Sequence, residues 1–190
     1  MTPDLPPGLS YHPAFVTEDE ERGLVELVGR LAFEEIRMRG QVARRRTVHF
    51  GWLYGYESWR IAPGPPIPDF LLPLRVRSAT LVGLEAAELA EVLVTEYPAG
   101  AGIGWHRDAP MFGTVIGVSL LTPCRFRLQR GQGQERETRT LLLEPRSAYV
   151  LDGGARWQWQ HSIPPMSALR YSITFRTLRE STGRRAAGSG

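Results

Sequence analysis

Two textures divide this chain at Ala90. Before it, apolar positions recur at helical spacing in two stretches; after it they fall into short runs that alternate or cluster. Thr17 and Glu20 form a capping-box signal, and Leu24, Leu27, Val28 and Leu31 follow on one helical face. The pattern predicts a helix reaching Leu31. A second helix is predicted between Pro68 and Gly83, with Leu71, Leu74, Val76 and Leu81 as its apolar positions. Pro73 makes that helix start late or kink, because proline lacks the amide hydrogen a helix interior uses. Segment 47–59, rich in aromatics and glycine, reads as a hairpin or a long loop. Residues 1–10 read as loose and 181–190 as a flexible tail, leaving one domain over 1–180.

From Ala90 onward, β-forming runs are predicted at 92–97, 115–121, 125–129, 140–143, 148–151, 157–161 and 170–176. Gly and Pro turns separate them. Helices first and an antiparallel core afterwards give an α+β fold. Its core is expected to be a jelly roll (a double-stranded β-helix), with the N-terminal helices packed outside. The run 170–176 is sharply divided. Tyr171, Ile173 and Phe175 share one face; Arg170, Ser172, Thr174 and Arg176 share the other. An ordinary surface strand shows the same alternation. Placed inside a barrel, however, the two arginines would need anions, and a small dianionic acid could lie between them.

Composition changes the picture only in places. At 190 residues, 42% hydrophobic and 23% charged, the chain can bury a real core. No apolar run approaches the ~20 residues of a membrane span, and no charged-then-apolar leader opens the chain. A cytoplasmic protein without a membrane partner is therefore expected. The single Cys124 excludes an internal disulfide and, in its apolar stretch, reads as a small buried residue. There is no lysine and no asparagine. A net charge of +3 permits a polyanionic partner without requiring one. Arg37, Arg39, Arg44, Arg45 and Arg46 cluster, either as a solvated basic face or as phosphate contacts.

The candidate chemistry lies in His106-x-Asp108 and a later histidine, His161. In a strand, residues i and i+2 point the same way, so His106 and Asp108 can grip one ion from one strand. Two histidines and one carboxylate at this spacing suit a facial iron site, which leaves one side of the metal open for oxygen chemistry. The other histidines differ: His49, beside Phe50 and Trp52, reads as structural or substrate-side. Trp157 and Trp159 share a face with His161 in the expected strand, so they read as core or pocket lining. Arg107 points away from the metal.

The combination Tyr97-x-x-Gly100, His106-x-Asp108, His161 and Arg170 through Arg176 resembles the AlkB family of Fe(II)- and 2-oxoglutarate-dependent dioxygenases, over roughly residues 45 to 178. The resemblance implies His106, Asp108 and His161 as iron ligands and as the catalytic centre. It implies Arg170 and Tyr97 at the distal carboxylate of 2-oxoglutarate, Arg176 nearer its chelating end, and Thr95 and Ser172 as further cosubstrate contacts. Thr95 stands where the family usually has asparagine, and Ser172 where the bacterial prototype has it. Trp52, Tyr54 and Tyr56 fall in the position of the nucleotide-recognition region and offer rings to an extruded base.

The implied reaction consumes 2-oxoglutarate and O₂ and removes N-methyl groups from nucleobases of DNA or RNA, releasing formaldehyde, succinate and CO₂. Pro110 replaces an acidic residue of the prototype, and Asp152 stands at roughly the place of a pocket tryptophan, so base specificity is expected to differ. Two alternatives stay open: the same chemistry on a protein or small molecule, and a non-catalytic nucleic-acid-binding module.

Overall fold

The structure, a computed structural model, describes residues 5–38, 41–55 and 60–179. Its strands are β1 (Leu9–His12), β2 (Glu34–Met38), β3 (Gln41–Gly55), β4 (Arg60–Pro63), β5 (Leu89–Tyr97), β6 (Ile103–His106), β7 (Phe112–Leu120), β8 (Cys124–Arg130), β9 (Glu137–Leu143), β10 (Ser147–Leu151), β11 (Gln160–Ile163) and β12 (Arg170–Leu178). Its α-helices are α1 (Glu18–Val28), α2 (Leu72–Leu81) and α3 (Gly153–Trp157). The large sheet runs β1-β10-β7-β12-β5-β3-β2, with β4 paired to β3; the small sheet runs β6-β11-β8-β9. The described pairings are antiparallel.

Strand β12 shows why the sheets stack. Arg170 through Arg176 are all buried, so neither face is a solvated one. Tyr171, Ile173 and Phe175 join Val92, Val94, Ile116 and Val118 in one apolar cluster, which also takes Val28 from α1 and Leu74 and Ala79 from α2. A second cluster, containing Tyr97, Val115, Phe126, Leu128, Tyr149 and Trp159, fills the space between the two sheets. Helices therefore cover one face of the large sheet and the small sheet covers the other, with the polar face of β12 turned inward. This is the jelly-roll arrangement.

The helices start where their sequence signals put them, although α1 ends at Val28, short of the expected Leu31. Thr17 Oγ1 accepts from Glu20 N, and Glu20 returns the contact to Thr17 N at 2.8 Å. Pro73 lies in the first turn of α2, where its missing N–H costs nothing.

Other expectations need correction. Residues 5–10 are not a loose leader: Leu9–His12 form the edge strand β1, registered against Leu151 to Ala148. Strands also interleave with the helices instead of following them, since β2 and β3 lie between α1 and α2. Segment 47–55, by contrast, agrees with the hairpin reading and not with a long loop: β3 continues through it and pairs antiparallel with β4. The predicted strand 157–161 is in part helix, because Asp152 caps Gly153 N at 2.8 Å and starts α3, which runs to Trp157. Tyr56 and the tail 181–190 lie outside the described residues.

Candidate metal centre and cosubstrate pocket

His106 closes β6, and His161 lies directly opposite it on β11. Their rings meet edge to face, with centroids 4.2 Å apart. His106 Nδ1 is 2.9 Å from the Gly104 carbonyl, which can only accept. That nitrogen therefore carries the hydrogen and Nε2 keeps its lone pair. Asp108 is not on the same strand as His106, as expected from i, i+2 geometry, but two residues beyond the strand's end. Its Oδ2 lies 3.8 Å from His161 Nε2. The ligand atoms of the three residues fall within 4.8 Å of one another, so they can converge on one ion.

Arg156 makes the loop position possible, and nothing in the sequence signalled it. This buried arginine donates from Nε to Gly113 O at 2.9 Å. Its Nη2 reaches the carbonyls of Asp108, Ala109 and Phe112 at 3.3, 2.8 and 2.7 Å. One guanidinium thus gathers four carbonyls from the turn that presents Asp108 and the start of β7, and ties α3 to both.

The electrostatics leave the three groups in ligating form. Burial lowers the His106 pKa and pushes that of His161 down to about 3, so both imidazoles are neutral at neutral pH. Burial alone would raise the Asp108 carboxyl. The positive charge of Arg176, with that of Arg156 behind it, outweighs this and holds the group well below the usual carboxylate range. Neutral imidazoles and an ionised carboxylate are the states a metal requires.

Behind the triad, the inward face of the large sheet is polar. Thr47, Thr95, Ser172, Ser119 and Ser147 stand side by side across five strands, and all are buried. In the next row Arg170 pairs with Tyr97. Arg170 is 1% exposed; its Nε donates to Ser119 Oγ at 2.9 Å, and its guanidinium lies 5.2 Å from the Tyr97 ring centroid. Its Nη1 is buried with no partner among the described residues. A buried guanidinium N–H left in this way calls for an anionic acceptor, and a small dicarboxylate fits a floor made of this arginine and a row of hydroxyls. Burial raises the Tyr97 phenol, so it remains a proton donor.

Tyr149, a further residue missed in the sequence, lies close enough to Asp108, Arg170 and Arg176 to feel their charges, and burial raises its phenol strongly. It is opposite Gly117 on β7. A Cβ at Gly117 would sit 2.3 Å from the Tyr149 ring, so the glycine makes room for it.

The remaining expected residues divide. Thr95, Tyr97, Arg170, Ser172 and Arg176 face the same interior as the triad. Trp52 and Tyr54 lie in β3 beyond the point where it leaves β5, opposite Pro63 and Ile61. Trp159 is buried core, whereas Trp157 is exposed at the end of α3 between Arg156 and Arg179. Asp152 is an exposed helix cap and not a pocket wall. Within the arginine cluster, Arg46 is tied to Glu96 at 2.6 Å, while the charge of Arg45 acts on Tyr97 and His106. Arg107, Arg130 and Arg136, with Gln129, Gln132 and Gln160, line a groove of about 550 Å³. Arg107 separates two of the triad residues in sequence and Gln160 precedes the third. No described acidic residue lines the groove.

Comparison with known proteins agrees with this arrangement. The 2OG-Fe(II) oxygenase superfamily model matches residues 8–176. An Arabidopsis thaliana protein named alkylated DNA repair protein ALKBH8 homolog is 29% identical over 91% of this chain and 59% of its own length. The mitochondrial alpha-ketoglutarate-dependent dioxygenase alkB homolog 7 of Mus musculus is 30% identical over 80% of this chain and 65% of its own. The chain thus spans less than two thirds of these relatives. The solved structure of OsALKBH1 superposes with a TM-score of 0.70 at 15% identity, covering 91% of this chain and 98% of that one, and supports the fold. No helix among the described residues is long and apolar enough to cross a membrane. With its family match running through both sheets and its two-histidine, one-carboxylate cluster in place, the chain belongs to the 2OG-Fe(II) oxygenase superfamily as a member of AlkB type, whose chemistry uses Fe(II), 2-oxoglutarate and O₂.

Proposed function

We propose that this chain oxidatively demethylates N-alkylated nucleobases in DNA or RNA. His106, through Nε2, Asp108, through Oδ2, and His161 would hold the ferrous ion. Bound iron and 2-oxoglutarate supply the oxidation: O₂ gives one oxygen atom to the substrate C–H bond and one to succinate, with loss of CO₂. The hydroxylated N-methyl group then separates as formaldehyde and restores the base N–H.

The residues' parts follow from their chemistry. Arg170 and the Tyr97 hydroxyl bind the distal carboxylate of 2-oxoglutarate, with Thr95, Ser172 and Tyr149 donating along its length. Arg176 serves the end nearer the metal. Trp52, Tyr54 and Tyr56 offer rings to the extruded base, and Arg45 offers a cation to a phosphate.

The observation that carries the nucleic-acid reading is the arginine- and glutamine-lined groove on the sheet that also carries His106 and His161, which suits a phosphodiester backbone. The names of two relatives point the same way: the Arabidopsis repair protein and a Danio rerio protein named probable RNA/DNA demethylase ALKBH6, 29% identical over 60% of this chain. The test is a panel of N-methylated and unmodified oligonucleotides with Fe(II) and 2-oxoglutarate. Equal yields of formaldehyde and succinate with a methylated strand are expected. Succinate formation indifferent to every methylated strand would move the substrate to a protein side chain or a small molecule.

A further inference from the structure

Glu91 has no exposed surface, although it sits within the apolar run of β5. Both its carboxylate oxygens accept from Arg176 Nη1 at 3.2 Å, the residue directly opposite it on β12. His49, reaching in from β3, places Nδ1 3.1 Å from Glu91 Oε1. The same guanidinium then donates from Nη2 to Asp108 Oδ1 at 2.6 Å. One arginine therefore bridges two buried carboxylates, only one of which belongs to the triad.

A buried carboxylate is costly unless its charge is used, and the hydrogen-bond partners of Glu91 are Arg176 and His49, not residues of the triad. It fixes the orientation of Arg176 and shares with Asp108 the balancing of its positive charge beside a cation site. We infer that Glu91 is a positioning residue for the metal centre: it holds Arg176 across Asp108, so that Oδ1 is occupied and Oδ2 is presented to the ion, with His49 as the outer brace. This inference rests on the reading that His106, Asp108 and His161 hold iron.

The test is calorimetric titration of the full chain with Mn(II), without turnover, in the wild type and in Glu91→Gln, Glu91→Asp and His49→Ala. Glu91→Gln keeps the shape and removes the charge; Glu91→Asp keeps the charge and withdraws it from Arg176. Both are expected to retain the native circular dichroism while binding Mn(II) about 10- to 100-fold more weakly, with a smaller loss for His49→Ala. Folded Glu91 variants with wild-type affinity would overturn the inference. Failure of both Glu91 variants to fold would also overturn it, by assigning the residue to the core alone. A wild type that binds no Mn(II) would remove the metal reading on which the inference stands.

Discussion

Arg176 divides the Asp108 carboxylate: Oδ1 accepts its Nη2 at 2.6 Å, and Oδ2 is left 3.8 Å from His161 Nε2. A carboxylate with one oxygen spent in this way has a single oxygen to give an ion. Three donors then come from one side, and the second Asp108 oxygen does not crowd, as a fourth, the face where substrates must enter.

Arg170 is the first place to test the cosubstrate pocket. Its Nη1 has no described partner, so a carboxylate arriving there gains a charge-assisted hydrogen bond and relieves a buried donor. Arg170→Met is expected to raise the apparent KM for 2-oxoglutarate at least about tenfold. The KM for oligonucleotide should change by less than about twofold. Steady-state kinetics with each substrate varied in turn would separate the two, and an equal rise in both would deny Arg170 this role.

Gly117 tests the packing of Tyr149. Because an added methyl would meet the ring at 2.3 Å, Gly117→Ala should cost about 1–3 kcal/mol by overpacking. In a Tyr149→Ala background the same substitution should cost almost nothing, a coupling that denaturant unfolding of the four proteins would measure. Additive costs would mean that the ring moves aside freely.

The outer shell offers a pH-dependent test. The hydrogen bonds from Arg77 and from the Thr17 backbone hold the Glu20 carboxyl down to about 2, from an ordinary value of 4.5. Its folded-state pKa is depressed, so its contribution is complete above 4.5 and is lost as pH falls from there toward 2. The pair is more than a third exposed, which limits the effect to about 1 kcal/mol or less. Glu20→Gln should flatten that part of the stability–pH curve and leave stability below pH ~2 nearly unchanged. Parallel curves for the two proteins would exclude the linkage.

Much of the centre was legible in the sequence because its signals are local. The alternation of β12 named both its apolar and its polar face, and the spacing of His106, Asp108 and His161 picked out three residues that the fold brings together. What escaped notice depends on partners distant in the chain. Strand β1 has four residues and no strong alternation; its pairing with β10 makes it a strand. Trp157 looked like part of a strand because nothing local shows that Asp152 would cap a five-residue helix. Arg156 carries no pattern at all, since its role exists only where four carbonyls of one loop converge. Glu91 could have been flagged as a carboxylate inside an apolar run, but its partners lie on two neighbouring strands. Asp108 left the strand for the same reason: the loop that holds it is shaped from α3.

The most direct test of the central claim is an anaerobic Mn(II) titration followed by electron paramagnetic resonance, comparing the wild type with His161→Ala. One tightly bound ion per chain is expected in the wild type and none in the variant. A variant that binds as tightly as the wild type, or a wild type that binds nothing, would contradict the assignment of this cluster as the metal centre.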